Sequence, residues 1–211
     1  KVLPPWCVSL LIAVCGALLG VMPLVGAGIL GAAACGIMGI LIPYARVLAA
    51  KKPQEYSAWS FLIGLGWIAL GILFLGIMAL FVSTPSQIRV LTMMWLPIIG
   101  AGGFAQLFEG ALSYLMPVVI GGGPSVVRIG IAILDWQFAL RVSLRNGALL
   151  LQVALFWAAT STAVTTLRYA LWLVVIMTFA IDIVLFARAG KNQARARRER
   201  IKEMSESRKA Q

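Results

Sequence analysis

The sequence predicts an all-α protein, a polytopic transmembrane helical bundle of about six spans followed by a basic cytoplasmic tail. Three observations predict it. Of the 211 residues, 61% are hydrophobic and only 12% charged, against roughly 25% charged in soluble domains. Several apolar runs approach the ~20 residues that a helix needs to cross a bilayer. The cations are gathered into a few segments instead of being scattered.

The spans follow in order. The first apolar run, residues 6–20, is short, and only the segment around Pro23 separates it from the second, 26–48, so the two should form a tight helical hairpin. The third covers 59–82. The fourth, 90–120, is long enough to kink, and Pro97 and Pro117 mark the places. The fifth and sixth cover 147–164 and 168–186. Between the fourth and fifth, Gly121-Gly122-Gly123-Pro124 reads as a flexible exit turn, and residues 125–146 read as an interfacial helix in which Arg128, Arg141 and Arg145 alternate with apolar residues. Residues 1–188 thus form the bundle, and 189–211 form the tail. The chain opens on Lys1 with no signal peptide ahead of the first apolar run, so the expectation is that its native N-terminus lies upstream.

Charge sets the expected orientation. If the Lys51/Lys52 loop is cytoplasmic, only Arg89 and Arg168 of the 18 Lys and Arg residues fall outside, which is a positive-inside pattern. This predicts a multi-pass membrane protein with both ends in the cytoplasm; the resemblance described below implies a bacterial plasma membrane. Trp6, Trp59, Trp95 and Trp172 lie near span ends, where an interfacial aromatic belt would place them. In the tail, Lys and Arg outnumber Glu199, Glu203 and Glu206. Arg195, Arg197, Arg198 and Arg200 are candidate contacts to anionic lipid headgroups, and nucleic acid is not expected as a partner.

Within the membrane, small residues recur every fourth position along the second span. Gly31, Cys35, Gly36 and Gly39 mark a helix-packing face toward this bundle or toward other membrane helices or subunits. Two acids fall inside spans. Gln106, Glu109 and Ser113 share one helical face, with Tyr114 beside it. Together with Asp182 they are candidates either for a proton or substrate path or for a hydrogen-bonded structural cluster. For Asp182, structural pairing with Arg188 or with the loop arginines is the favoured reading. The chain has no histidine and three cysteines, none in a CxxC pair. No catalytic constellation and no metal-ligand set is legible in it.

The stretch from Ala105 through Gln106, Glu109-Gly110-Ala111-Leu112-Ser113-Tyr114 and Pro117 to Gly121-Gly122-Gly123-Pro124 resembles a motif of actinobacterial membrane proteins called copper oxidases or copper-containing nitrite reductases. Their membrane region is similar to that of haem–copper proteins of the nitric-oxide response. Tyr56-Ser57-Ala58-Trp59, Val126-Val127-Arg128, Leu134-Asp135 and Ala139-Leu140-Arg141-Val142 extend the resemblance, which covers about residues 1–165. It implies the C-terminal half of a larger membrane domain in a redox, electron-transfer or respiratory-chain setting. The histidines for haem or copper would lie in the other half. The chain departs from the family pattern at Glu109, where an apolar residue is expected, and its basic tail replaces a copper domain. The implied role is an integral membrane module, a scaffold with a quinone or proton path. The alternatives are a non-catalytic accessory or assembly subunit of a larger membrane complex and, last, a small-molecule transporter.

Overall fold

The computed structural model describes residues 2–52, 55–158 and 161–209, and all regular structure among them is helical. The charge expected at Lys1, part of the fifth span and the last two tail residues lie outside the described residues. Among the described residues five helices are long and apolar enough to cross a membrane: Met22–Lys51, Tyr56–Phe81, Pro85–Ile120, Phe138–Trp157 and Thr162–Lys209. Many large apolar side chains on them are exposed, Val119, Phe81 and Leu173 among them, which suits a lipid solvent and not water.

The chain divides into two compact units. One contains helices α1 (Leu3–Leu18), α2 (Met22–Gly36) and α3 (Ile42–Lys51), the part of α4 (Tyr56–Phe81) from Leu62 onward, and α5 (Pro85–Ile99) with the chain to Leu107. The first predicted span is the 16-residue α1, shorter than a spanning helix needs, so five long helices stand where about six were expected. Gly20, at φ +69°, ends α1 in a Schellman turn: Val21 N–H donates to Gly16 O and Gly20 N–H to Ala17 O. Proline at the first turn of α2 and α5 starts each helix where its missing N–H costs nothing.

Glycines bring α1 and α2 together at backbone distance. A Cβ on Gly28 would collide with the Ala13 backbone, one on Gly16 would sit 2.7 Å from Val25 N, and one on Gly31 would sit 2.6 Å from Ser9 Oγ. Gly39 packs on Val2 and Cys35 is buried. Gly36 departs from the expected packing face, because its Cβ direction meets nothing within 4 Å. A π turn, Ile37–Leu41, joins α2 to α3. Pro43 has no N–H for the Gly39 carbonyl, and the wider turn carries the helix past it. A second π turn, Gly100–Ala105, follows Pro97 in the long α5 span, and there Gly102 lies flat on Trp67 and Gly103 on Ile68. Trp95 is not part of an interfacial belt. It is buried and stacks on Phe74 at 4.1 Å between ring centroids.

The second unit holds the first turns of α4 (Tyr56–Phe61), α6 (Gln106–Ile120) from Phe108 onward, α7 (Pro124–Leu134), α8 (Phe138–Ala154) and α9 (Thr162–Lys209). The expected interfacial helix is split. Residues 124–134 form α7, and 138–146 are the beginning of α8, so the fifth span starts nine residues before Gly147 and carries Arg141 and Arg145 inside it. Helix α9 runs for 48 residues with no break at the 188/189 boundary expected for the tail. Its buried residues, Leu171, Val175, Thr178, Asp182, Leu185, Ala189 and Gln193, recur at three- and four-residue steps and so form one stripe along the helix. Leu134, Leu185 and Ala189 are the centre of a small apolar cluster that Met116, Ile133 and Phe186 complete.

Candidate functional site: a buried ion network

Four helices and one turn of the second unit bring six polar side chains together. Tyr56 is the first residue of α4, so its N–H is one of the donors that a helix start leaves without an intrahelical partner. It donates to Asp135 Oδ1, in the α7–α8 turn, at 2.7 Å. This carboxylate at a helix N-terminus is also favoured by the helix dipole. Across its ring, the Tyr56 hydroxyl donates to Glu109 Oε2 of α6 at 2.8 Å, with Asp182 Oδ2 of α9 at 3.3 Å.

Two arginines one turn apart on α8 complete the set. Arg145 Nη1 donates to Glu109 Oε2 at 2.6 Å and to the Tyr56 hydroxyl at 3.3 Å. Its Nη2 pairs with Asp182 Oδ2, and its Nε donates to Thr178 Oγ1 at 3.1 Å. Arg141 pairs through Nη1 with Asp182 Oδ1, and its remaining donors reach the carbonyls of Leu134 and Trp136. Each guanidinium also lies over a ring, Arg141 over Tyr56 at 4.6 Å and Arg145 over Phe179 at 3.9 Å. The ionic side chains are 0% (Arg145), 1% (Asp182), 4% (Arg141) and 12% (Glu109) exposed. Two cations therefore balance two anions out of solvent, and the two arginines span both carboxylates with directed hydrogen bonds, the condition under which buried charge is tolerated.

The structure separates the residues that helical spacing had grouped. Glu109 and Asp182 meet in the network. Gln106 is buried but belongs to the other compact unit. Ser113 is buried and donates to the Glu109 backbone carbonyl at 2.7 Å, not to its carboxylate. Tyr114 is exposed and outside the network. Asp182 pairs with Arg141 and Arg145, two of the loop arginines read as its partners, and not with Arg188. Tyr56, and the pairing of Arg145 with Glu109, are not part of that reading. The available signal was the four-residue spacing of two arginines beside a span in a chain with only two intramembrane acids.

Beside the network, Glu55, Ser57, Ser113 and Asp135 line a narrow cleft of about 10 Å³, roughly the space of a single water. Burial pushes the Asp135 carboxyl above its ordinary range. The bond from Tyr56 N–H pulls it down, Glu55 adds to the rise and Arg141 opposes it.

A second polar assembly joins α9 to the end of α6. Gln193 Nε2 donates to Pro117 O at 2.5 Å and Gly121 O at 3.3 Å, Arg197 Nη1 to Ile120 O at 3.0 Å, and Arg200 Nη1 to Gly122 O at 2.8 Å and Ser125 Oγ at 3.2 Å. These side chains satisfy carbonyls that a helix end leaves open, and the cations suit that end of the helix dipole. Gly121, Gly122 and Gly123 have φ of 69°, 100° and 91°; a Cβ on Gly123 would run into Arg200, and one on Gly122 would meet Val126 at 2.9 Å and Arg197 at 3.2 Å. The glycine run is thus a clamped turn and not a flexible exit. Of the four arginines expected at lipid headgroups, Arg197 and Arg200 are committed to this clamp. Arg195 pairs with Glu199 at 3.1 Å on the exposed side, where Arg198 also lies.

For haem or copper the donor set does not fit. The chain has no histidine, and among the described residues no three His, Cys, Asp or Glu side chains gather as metal ligands. Cys7 and Cys15 are exposed and Cys35 is buried in the other unit. Compared with known protein families, with curated proteins and with solved structures, the chain matches none.

Proposed function

We propose that the chain is an integral membrane scaffold module of a larger copper-oxidase-like or haem-containing redox protein, with both ends cytoplasmic, and that its ion network doubles as a proton path. One observation carries the reading. The Tyr56 hydroxyl lies between the Glu109 and Asp182 carboxylates, and Arg145 bonds to all three. A phenol between two carboxylates accepts a proton from one side as it releases one to the other, so the contact that fixes α4, α6, α8 and α9 is also a continuous line of exchangeable protons. The redox setting rests on the resemblance centred on residues 105–124, and any haem or copper would take its ligands from outside this chain.

The test uses the full chain in proteoliposomes with an internal pH dye. Glu109→Gln is expected to abolish pH-driven proton flux while the protein stays folded. Unchanged flux with a lowered unfolding temperature would leave only the scaffold role. An absorption spectrum of the protein purified with its native partners should carry haem or copper bands, and their lack would refute the redox setting.

A second reading, an accessory or assembly subunit, is favoured by the apolar cleft of about 230 Å³ where Gly36 opens between Val2, Trp6, Cys35 and Gly39. A bulky residue at Gly36 should then release a co-purifying partner, whereas purification as a solitary monomer counts against this role.

A further inference from the structure

Five cations of α9 take no part in either polar assembly, although Arg195 pairs with Glu199 on the exposed side. Arg188, Lys191, Arg195, Arg198 and Lys202 are all exposed, and they follow one another at steps of three, four, three and four. At 3.6 residues per turn this places them in single file on the side of α9 opposite Ala189, Gln193, Arg197 and Arg200. One face of the helix is therefore held against the α6–α7 turn while the other carries an unbroken basic stripe. Upstream, the same outward face is apolar, with exposed Leu173, Met177 and Val184.

We propose that this stripe is a docking face for an acidic amphipathic helix of another polypeptide, one that presents Asp or Glu at the same three–four spacing. Reach argues against lipid for the distal part of the stripe. With the apolar part of α9 ending at Phe186, a rise of 1.5 Å per residue keeps Arg188 and Lys191 within headgroup reach but puts Arg198 about 18 Å and Lys202 about 24 Å further along the axis. A headgroup layer is only about 5–8 Å deep on each side. Even a tilt of 40° leaves Lys202 about 18 Å beyond the apolar segment, and screening limits attraction to about 8 Å. The clamp through Gln193, Arg197 and Arg200 holds this part of α9 against the α6–α7 turn.

The flank of the stripe argues against nucleic acid. Glu199, Glu203 and Glu206 run along one side of it, where they would repel a phosphate backbone but would fix the register of a helix that carries a few cations of its own. The stripe has no aromatic residue for a base to stack on. A second copy of this chain is opposed by the excess of cations that both tails would bring.

The test uses the full chain in phosphatidylcholine nanodiscs and a labelled synthetic helix with Glu in one three–four stripe. A peptide of the same composition in shuffled order is the control. The striped peptide should bind about tenfold more tightly than the shuffled one, and the triple variant Lys191→Glu, Arg195→Glu, Arg198→Glu should lose about tenfold, the scale of three exposed ion pairs. If the reversed variant fails to fold, the same positions changed to Gln should give a smaller loss in the same direction. Equal binding of both peptides, or no effect of the substitutions, would overturn the proposal. So would displacement of the peptide by oligothymidylate or by phosphatidylglycerol placed in the disc.

Discussion

Arg145→Met tests whether the ion network holds the second unit together. Arg145 is fully buried and donates to Glu109, Asp182, Tyr56 and Thr178. Met keeps most of the side-chain volume and removes the charge, leaving two carboxylates against the single guanidinium of Arg141. Breaking a buried pair from one side costs about 3–5 kcal/mol. For a chain of this size each kcal/mol lowers the unfolding midpoint by about 2–4 °C, so a fall of roughly 6–20 °C is expected. The assay is thermal unfolding in detergent, followed by far-ultraviolet circular dichroism and by the monodisperse fraction on gel filtration. The double variant Glu109→Met, Arg145→Met leaves Arg141 and Asp182 as a balanced pair and should recover at least half of the loss. A single variant within about 1 kcal/mol of the parent, or a cycle that is additive to within about 0.5 kcal/mol, would refute the account.

Other consequences are checked in the same way. Folding raises the Asp135 pKa above its ordinary value of 3.8, so the stability gained through this group is complete at low pH and is lost as pH rises through the folded-state pKa. Asp135→Asn, whose amide oxygen still accepts the Tyr56 N–H, should flatten that part of a stability–pH profile, and an unaltered profile would count against it. Gly122→Ala forces a Cβ onto a residue at φ +100° and against Arg197, at a cost of about 1–3 kcal/mol, and hydrogen exchange should rise in residues 189–200 of α9. Gly28→Leu should separate α1 from α2, read as loss of a disulfide engineered across that pair, while Gly36→Leu should leave the same crosslink intact, because only Gly28 meets neighbouring backbone.

Hydropathy carried the reading of the helices, because an apolar run of spanning length has few other folds open to it. It also exposed Glu109 and Asp182, since a carboxylate inside an apolar run stands out. Their partners were only partly legible, the loop arginines being read for Asp182 but not for Glu109, and Tyr56 for neither. Arg141 and Arg145 lie at a polar helix start, where a hydropathy window places the span's edge after them, and a tyrosine such as Tyr56 is no outlier at all. The helical wheel rightly set Ser113 one turn from Glu109, but it could not tell a backbone acceptor from a carboxylate. The π turns at Ile37–Leu41 and Gly100–Ala105 arise from how prolines and close-packed glycines are accommodated in three dimensions, which no linear pattern of residue types expresses. The clamp on Gly121–Gly123 needs side chains more than 70 positions away.

Asp182 and Gln193 lie eleven residues apart, three turns, on one face of an unbroken helix, and this makes α9 a gauge with two fixed marks about 16 Å apart. One mark is read by the arginines of α8, the other by the carbonyls that close α6. A one-residue insertion or deletion between them would swing one mark about 100° away from its reader, so the interval 183–192 should accept changes of side chain far more readily than any change of length.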